Sequence, residues 1–217
     1  MPGMIHHIAF AKKISKELNF KKDDEDLFII GNLLPDYAKD KNYSHFRKNA
    51  SVSCLQVPNL DEAKNMLFKK DNLLYLGMYS HLFLDYHFIE GYLIKMFEFD
   101  FDNNIITNKM NNKKYTKETF FSSKKDGLLY HGYSHINYLM IKNKIVDLSD
   151  IFNLPDILPE TNIDFFDDRK EYDWKKELKH YLDVLKENNG IHFDFNKIMD
   201  NFNNAFFEFI LEYQNSK

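Results

Sequence analysis

A histidine and an aspartate occur four residues apart within the most apolar stretch of the sequence. The stretch reads YLGMYSHLFLDYHFIEGY from Tyr75 to Tyr92, and the two residues are His81 and Asp85. A segment that is apolar on all sides predicts a buried helix, and a spacing of four puts the imidazole and the carboxylate on one helical face. A buried carboxylate must be protonated, hydrogen-bonded, ion-paired or bound to a metal ion, because its desolvation otherwise costs several kcal/mol. Metal binding is the most specific of these options.

Three residues of the same types precede this pair. His7 lies on the apolar stripe of a predicted first helix, whereas His6, about 100° away around that helix, is expected to be half solvated. Asp36 follows Pro35 in GNLLPD, and His45 lies in YSHF. Each has an ordinary alternative: a satisfied core histidine, an aspartate that bonds its own turn, and a histidine in a surface loop. The ordered set nevertheless predicts a metal site, because imidazole and carboxylate groups are ligands of zinc and iron.

The elements that must position these residues are predicted to be helices. Only seven glycines and five prolines interrupt the chain, and apolar residues recur mostly at intervals of three and four. We therefore expect an all-α fold, with a single helical domain over residues 1–217. The expected helices cover residues 4–18, 25–34, 44–49, 61–69, 75–92, 126–143, 173–185 and 195–214.

Two segments are expected to interrupt this helical pattern. Pro35 should end the second helix because the residue before a proline avoids helical geometry, so Asp36 is predicted to lie just past a helix end. Residues 100–125 are polar and rich in asparagine, lysine and threonine. This composition predicts a long excursion over the surface, with a role as a lid.

Composition limits the size of the core, the partners and the cellular location that we expect. The chain has 217 residues, of which 44% are hydrophobic, so it can bury one sizeable core. The net charge is −4 and both signs are interspersed, which argues against specific nucleic-acid binding. Cys54 is the one cysteine and has no internal disulfide partner, and no secretory signal is recognisable, so we expect a cytoplasmic protein. Charged residues within the apolar stretch from 73 to 99 argue against stable membrane insertion.

The ordered motifs resemble those of the zinc-dependent phospholipase C family, in its short bacterial cytosolic form. The likeness consists of MPGMIHH at the start, GNLLPD followed by SHF, and LGMYSHLFLD, and it extends over roughly the first 90 residues. The resemblance implies an all-helical fold of the phospholipase C and P1 nuclease type. It also implies a cluster of two or three zinc ions that cleaves phosphoester bonds, with iron or another divalent metal as the alternative.

The resemblance assigns roles to individual residues. By this likeness Asp36, His45, His81 and Asp85 would form one metal site, and Asp85 would bridge to a second ion that His7 also holds. Such ions generate a nucleophile at neutral pH and neutralise phosphate oxygens. Asp36 is expected to act also as a catalytic proton acceptor.

The chain departs from the family pattern at three places. It begins with Met1 and Pro2, whereas secreted members use the amino group of an N-terminal tryptophan as a ligand. The family has a histidine a few residues after its HxxxD motif, but His87 follows too closely and should point away from the cavity. The candidate ligands for a third ion are His131 and His135 in YHGYSHINYL, whose spacing fits either chelation or interfacial packing.

Two functions of different classes remain. The first is a metal-dependent phosphoester hydrolase that acts on a small phosphodiester or phospholipid-type substrate. The second is a non-catalytic binding or regulatory protein on the same helical scaffold, with a degenerate metal site. An HD-domain phosphohydrolase is discounted because that class needs an adjacent histidine and aspartate, and the sequence contains no such dipeptide.

Overall fold

The structure is a computed structural model and describes residues 3–51, 55–122, 128–169, 173–184 and 193–216. Within these ranges the fold is mainly helical, as predicted, but two small antiparallel sheets replace the expected purely helical class. No helix in this part of the chain combines enough length with enough apolar character to cross a lipid bilayer. The helices are α1 (Met4–Glu17), α2 (Lys22–Tyr37), α3 (Lys41–Ser44), α4 (Leu60–Leu67), α5 (Leu73–Tyr86), α6 (Ile94–Met96), α7 (Lys117–Phe121), α8 (Leu128–Lys142), α9 (Asp164–Asp167), α10 (Trp174–Val184) and α11 (Phe195–Asn215). The strands are β1 (Arg47–Asn49), β2 (Gln56–Pro58), β3 (Phe97–Asp100), β4 (Ile105–Asn108) and β5 (Lys114–Thr116).

Helix α5 lies in the core and is buried along almost its whole length. At its N-terminus the Asn72 side chain accepts a hydrogen bond from the Tyr75 backbone N–H at 3.2 Å, which caps the first turn. The helix packs against α1, α2, α4 and α11, and its path continues as a π-helical turn over His87–Leu93. The predicted buried helix is therefore confirmed.

Helices α2 and α5 touch backbone to backbone. A methyl group at Gly31 would collide with the Leu74 carbonyl oxygen, and one at Gly77 would collide with the Phe28 carbonyl oxygen. Backbone atoms cannot move aside as a flexible side chain can, so only glycine permits this approach. The contact holds together two of the helices that carry the candidate ligands.

Helix α2 runs through Pro35, so the prediction that this proline ends the helix is wrong. A proline inside a helix removes one backbone hydrogen bond and costs about 3 kcal/mol. The neighbours Leu33 and Leu34 are buried in the core, and this packing outweighs the local preference. Asp36 consequently lies in the last turn of α2, one helical turn after Asn32, rather than beyond a helix end.

The segment from 100 to 125, predicted as a surface excursion, is mostly exposed where it is described, and it contains strands β4 and β5 and helix α7. Its role as a lid stays a prediction. Strands β3, β4 and β5 form an antiparallel meander in which Phe97 pairs with Asn108 and Ile105 pairs with Thr116. Phe97 and Ile106 are buried, so the sheet covers part of the core. Burial alternates along β4 and β5, which is the period of a strand rather than of a helix.

Other boundaries differ in smaller ways. Helix α3 ends at Ser44, and the residues from Arg47 to Asn49 form strand β1 instead of the predicted helix, because they pair with β2 in a hairpin. The helices predicted at 61–69 and 195–214 are confirmed by α4 and α11. Helix α8 confirms the one predicted at 126–143 as far as it is described, but its proposed cap, Asp126, lies outside the described residues.

Candidate metal centre

Side chains from four helices meet in the interior of the protein. Helix α5 supplies His81 and Asp85, α1 supplies His7, α2 supplies Asp36, and His45 directly follows the last residue of α3. The structure thus brings together the five residues whose convergence the sequence predicted. Four of them are buried from solvent, and the side chain of Asp36 is 28% exposed.

Asp85 occupies the middle of this cluster. Its Oδ1 lies 3.2 Å from His7 Nε2, and its Oδ2 lies 3.6 Å from the Nε2 atoms of both His45 and His81. Asp36 lies beside the same rings, with Oδ1 at 3.7 Å from His45 Nε2 and Oδ2 at 4.0 Å from His81 Nε2. Each oxygen of Asp85 therefore faces a different set of imidazoles, which is the arrangement that a bridging carboxylate requires.

Hydrogen bonds on the far side of two rings decide where their protons lie. His81 Nδ1 donates to the Asn32 backbone carbonyl at 2.7 Å. The Ser44 hydroxyl donates to the Pro35 carbonyl at 3.0 Å, so its oxygen accepts from His45 Nδ1 at 2.9 Å. Because Nδ1 carries the proton in both neutral rings, each Nε2 presents a lone pair to the cluster. Outer partners of this kind orient the histidine ligands of metal sites.

Proton-free atoms consequently face one another at the centre. In the described part of the chain, Nε2 of His45, Nε2 of His81 and both carboxylate oxygens of Asp85 are buried without a hydrogen-bond partner. Buried acceptors that lack a donor are costly, and acceptors that face each other also repel. A cation between them would relieve both penalties.

The spacing of these atoms fits a metal ion. Nitrogen and oxygen ligands lie about 2.0 to 2.1 Å from zinc, so two ligands of a tetrahedral site are about 3.3 Å apart. The separations in the cluster, from 3.2 to 4.0 Å, bracket this distance. A gap of about 10 Å³ also lies among the side chains and has room for one atom-sized guest. Two triplets of ligand atoms lie within 4.8 Å of one another: His7, Asp36 and His81, and His45, His81 and Asp85.

The pKa values match the protonation states that metal ligands need. Burial, with the stacked ring of His7 as the next cause, lowers the pKa of His81 to about 4. Burial also holds the pKa of His45 well below its ordinary value. Burial raises the pKa of Asp85 to about 6, against the opposing effect of His81. Near neutral pH the two imidazoles are therefore neutral and the Asp85 carboxylate is ionised, and both forms can bind a cation.

Lys41 keeps the carboxylate of Asp36 ionised. Its ammonium group lies 2.6 Å from Asp36 Oδ1, and its side chain is 33% exposed. Burial acts to raise the pKa of Asp36, but Lys41 and the neighbouring histidines outweigh this effect and hold that pKa far below its ordinary value. Asp36 therefore stays ionised, and a carboxylate this acidic is a weak proton acceptor.

A cleft of about 350 Å³ opens beside the cluster at Asp36. It contains basic side chains, Lys41 and Arg47, and an aromatic wall in which Tyr130 is 49% exposed. Because Asp36 lines both this cleft and the small gap among the ligands, the cleft is the route by which a small molecule would reach the cluster.

The histidine pair of α8 stands apart from these five residues. His131 and His135 are half-buried, and neither belongs to a triplet of candidate ligand atoms among the described residues. His135 stacks on Tyr138, with the ring centroids 6.3 Å apart. Their assignment as ligands of a third ion stays a prediction.

Two more histidines near the cluster pack against aromatic rings. His6 stacks on Phe202 of α11, with centroids 5.2 Å apart, and is buried. The prediction that His6 is half solvated is therefore wrong, because α11 covers the face of α1 that seemed free. His87 Nε2 lies 3.5 Å from a carboxylate oxygen of Glu208, and its ring packs on Phe83, which agrees with its exclusion from the ligand set.

Sequence reasoning missed the residues that hold the ligands in place. Asn32 precedes Asp36 by one helical turn, and that spacing would have pointed to it if α2 had been extended through the proline. Ser44 precedes His45 directly, and Lys41 lies five residues after Asp36. Serine and lysine are common surface residues, so neither carries a signal in one sequence.

The chain matches no known protein-family model, and no curated protein or solved structure is significantly similar to it. The likeness to zinc-dependent phospholipase C therefore depends on the ordered motifs and on nothing wider.

Proposed function

We propose that the protein is a metal-dependent phosphoester hydrolase whose cluster of three histidines and two aspartates holds two divalent ions. The observation that carries the proposal is the group of buried atoms without a hydrogen-bond partner around Asp85, which a divalent cation would satisfy together. Zinc is the ion that suits such imidazole and carboxylate ligands best, and iron is the alternative. We also propose, from the motifs, a scaffold of the phospholipase C and P1 nuclease type.

The ligand atoms of the five residues can be assigned to two ions. His45, His81, Asp36 and one oxygen of Asp85 would hold the first, and His7 with the other oxygen of Asp85 would hold the second. The orientation of Asp85 supports this division, because its two oxygens face the two sets separately.

The residues of the chain would prepare the site for a phosphoester. Divalent ions held there would supply a nucleophile at neutral pH and offset the negative charge of the phosphate oxygens. Asn32 and Ser44 keep the lone pairs of His81 and His45 aimed at the cluster. Lys41 keeps Asp36 ionised, so a role of Asp36 as ligand has support, whereas its predicted role as proton acceptor has none from its pKa.

A non-catalytic binding protein is the second candidate function. One observation favours it: the Lys41 ammonium already lies 2.6 Å from an oxygen of Asp36, where a hydrolase would use that oxygen for an ion or a water. In such a protein the ion pair would take over part of a degenerate metal site.

Metal analysis of the purified protein, together with an activity assay, distinguishes the hydrolase from the non-catalytic binding protein. We expect about two equivalents of zinc or iron per chain, together with hydrolysis of bis(p-nitrophenyl) phosphate or p-nitrophenyl phosphate. His81→Ala should lose both the metal and the hydrolysis. His87→Ala is the matched control, since this histidine lies on the same helical stretch but contacts Glu208, and it should retain both.

Two results would contradict the hydrolase. One is wild-type protein that stays metal-free and inactive after dialysis against zinc, iron and manganese. The other is metal-loaded protein that cleaves neither ester, which would favour the binding protein instead.

A further inference from the structure

Arg47 is a basic residue of the cleft that has no acidic partner among the described residues. Its Nη1 contacts only neutral amide oxygens, those of Asn42 at 3.3 Å and Gln56 at 3.5 Å. Within the described residues, no carboxylate lies within 4.0 Å of its guanidinium. The side chain lines the same cleft as Asp36 and Lys41. A guanidinium in this position keeps most of its hydrogen-bonding capacity for a ligand.

The backbone between His45 and Arg47 is bent in an unusual way. Phe46 has a φ of 47°, a left-handed conformation that is costly for a bulky residue. Its ring is buried and packs on Phe165 and Phe166, which holds this conformation in place. Because of the bend, His45 enters the ligand cluster while Arg47, two residues later, reaches the cleft. One strained residue thus links the candidate metal centre to a guanidinium that contacts neutral amide oxygens.

The charges of the cleft show which ligand this arrangement suits. Lys41 is committed to Asp36, so Arg47 is the positive charge left over on this wall. Glu177 of α10 also lines the cleft, and its carboxylate accepts a hydrogen bond from the Tyr37 hydroxyl at 3.1 Å. A guanidinium binds phosphate through two parallel hydrogen bonds, and a phosphate monoester carries nearly two negative charges at neutral pH, whereas a carboxylate carries one. A phosphate group is therefore the best match for Arg47.

We propose that Arg47 determines substrate specificity by binding a second phosphate group, so that the preferred substrates are phosphoesters that carry a further phosphate. This inference rests on the proposed function, which supplies the place where the first phosphate is cleaved. Arg47 itself does not touch the scissile bond. It selects the substrate and aligns it along the cleft.

Binding of phosphonates tests the inference without requiring turnover. Isothermal titration calorimetry would compare methylphosphonate with alkane bisphosphonates whose two phosphonates are separated by one to five methylene groups. We expect at least one bisphosphonate to bind the wild-type protein about tenfold more tightly than methylphosphonate, as a charge-assisted pair of hydrogen bonds contributes on this scale. Arg47→Gln should abolish that gain.

Lys48→Gln is the matched control. Lys48 is the next residue of strand β1, but its ammonium contacts the Asn59 side chain at 3.3 Å and it lines a different cavity. This variant should keep the tenfold gain. The inference is overturned if no bisphosphonate gains over methylphosphonate, if the gain persists in Arg47→Gln, or if Lys48→Gln loses it equally.

The outcomes for Arg47 and for the hydrolase can be told apart. A protein that hydrolyses p-nitrophenyl phosphate but shows no Arg47-dependent gain keeps the proposed function and loses this inference. A protein that holds metal and shows the gain but cleaves neither p-nitrophenyl ester keeps the phosphate subsite and loses the hydrolase. If both hold, Arg47→Gln should raise KM about tenfold for a bisphosphorylated substrate, whereas the control Lys48→Gln should leave that KM unchanged.

Discussion

Helices α5 and α8 each carry two potential metal ligands four positions apart, yet only one pair meets further ligands. His81 and Asp85 of α5 lie within 4 Å of atoms from three other segments, whereas His131 and His135 of α8 join no triplet of candidate ligands among the described residues. Helix α5 runs through the core, and α8 keeps one side partly exposed. A spacing of four creates a chelating face, but tertiary packing must supply the third and fourth ligands.

Removing each pair in turn should give the largest difference between the two helices, and this difference is in the amount of bound metal. The double variant His81→Ala with Asp85→Ala should lose essentially all bound metal, since it removes ligands shared by both proposed ions. The variant His131→Ala with His135→Ala should keep its metal. Plasma emission spectroscopy on protein purified without added metal measures both. Equal metal loss in the two variants would break the comparison and favour a ligand role for the α8 pair.

Glycine substitutions in α5 and α8 should give the next largest difference, which is in the free energy of unfolding. Gly77→Ala pushes a methyl group into the backbone carbonyl of Phe28 and should destabilise the protein by about 3 kcal/mol. Gly132→Ala on α8 meets the ring of Phe193, which packs against Tyr92 and Phe97, and should cost less, about 1 to 2 kcal/mol, because a side chain can shift further than backbone. Urea unfolding of the metal-free proteins gives both values. Similar losses would mean that the contact between α2 and α5 is not the tighter one.

The acid sensitivity of the metal-free protein should depend partly on His6, which is buried beside the cluster. Burial lowers the pKa of His6 to about 3 from 6.5, so below pH 6.5 the unfolded chain binds a proton that the folded chain excludes. Stability is therefore lost as the pH falls, and the His6 share reaches about 3 kcal/mol between pH 6.5 and about pH 4. His6→Phe should flatten this dependence. Urea unfolding across that pH range, with a chelator present, measures the stability of both proteins. Equal losses in the wild type and in His6→Phe would contradict a contribution from His6.

The smallest effect should come from a residue that only orients a ligand. Ser44→Ala removes the hydrogen-bond acceptor of His45 Nδ1 and should weaken metal binding by about 10- to 100-fold. Ser15→Ala is the control, because this buried hydroxyl bonds only the Ala11 carbonyl within its own helix. Competition with a chromophoric chelator measures the affinities. Unchanged affinity in Ser44→Ala would show that the ring of His45 needs no outer partner.

Much of the cluster was predictable because its residues carry strong local signals. His81 and Asp85 are polar residues at helical spacing in an otherwise apolar helix, and His7 lies on an apolar stripe. Burial is a property that such patterns report directly. Asp36 was identified by its residue type and its position near His45, but its structural setting was predicted wrongly, since the local rule for proline failed in α2.

The errors share a physical cause. His6 seemed half solvated because a single helix reveals its own apolar face but not the neighbour that covers the other side, here α11. The meander of β3 to β5 was taken for a loop because short strands present few residues at their period of two, and their pairing joins separate parts of the chain. In both cases a distant segment overrode the local preference.

The sequence by itself determined the helical class, the buried position of α5, and which imidazoles and carboxylates were available, because residue type and periodicity act over a few neighbouring positions. Only the tertiary structure decided that five of them, Asp85 included, form one cluster while the α8 pair does not join it. It also decided that Lys41 contacts one oxygen of Asp36 and that Arg47 contacts neutral amide oxygens beside the cleft. These outcomes depend on how separate helices pack, and packing is set by contacts between residues far apart in the chain.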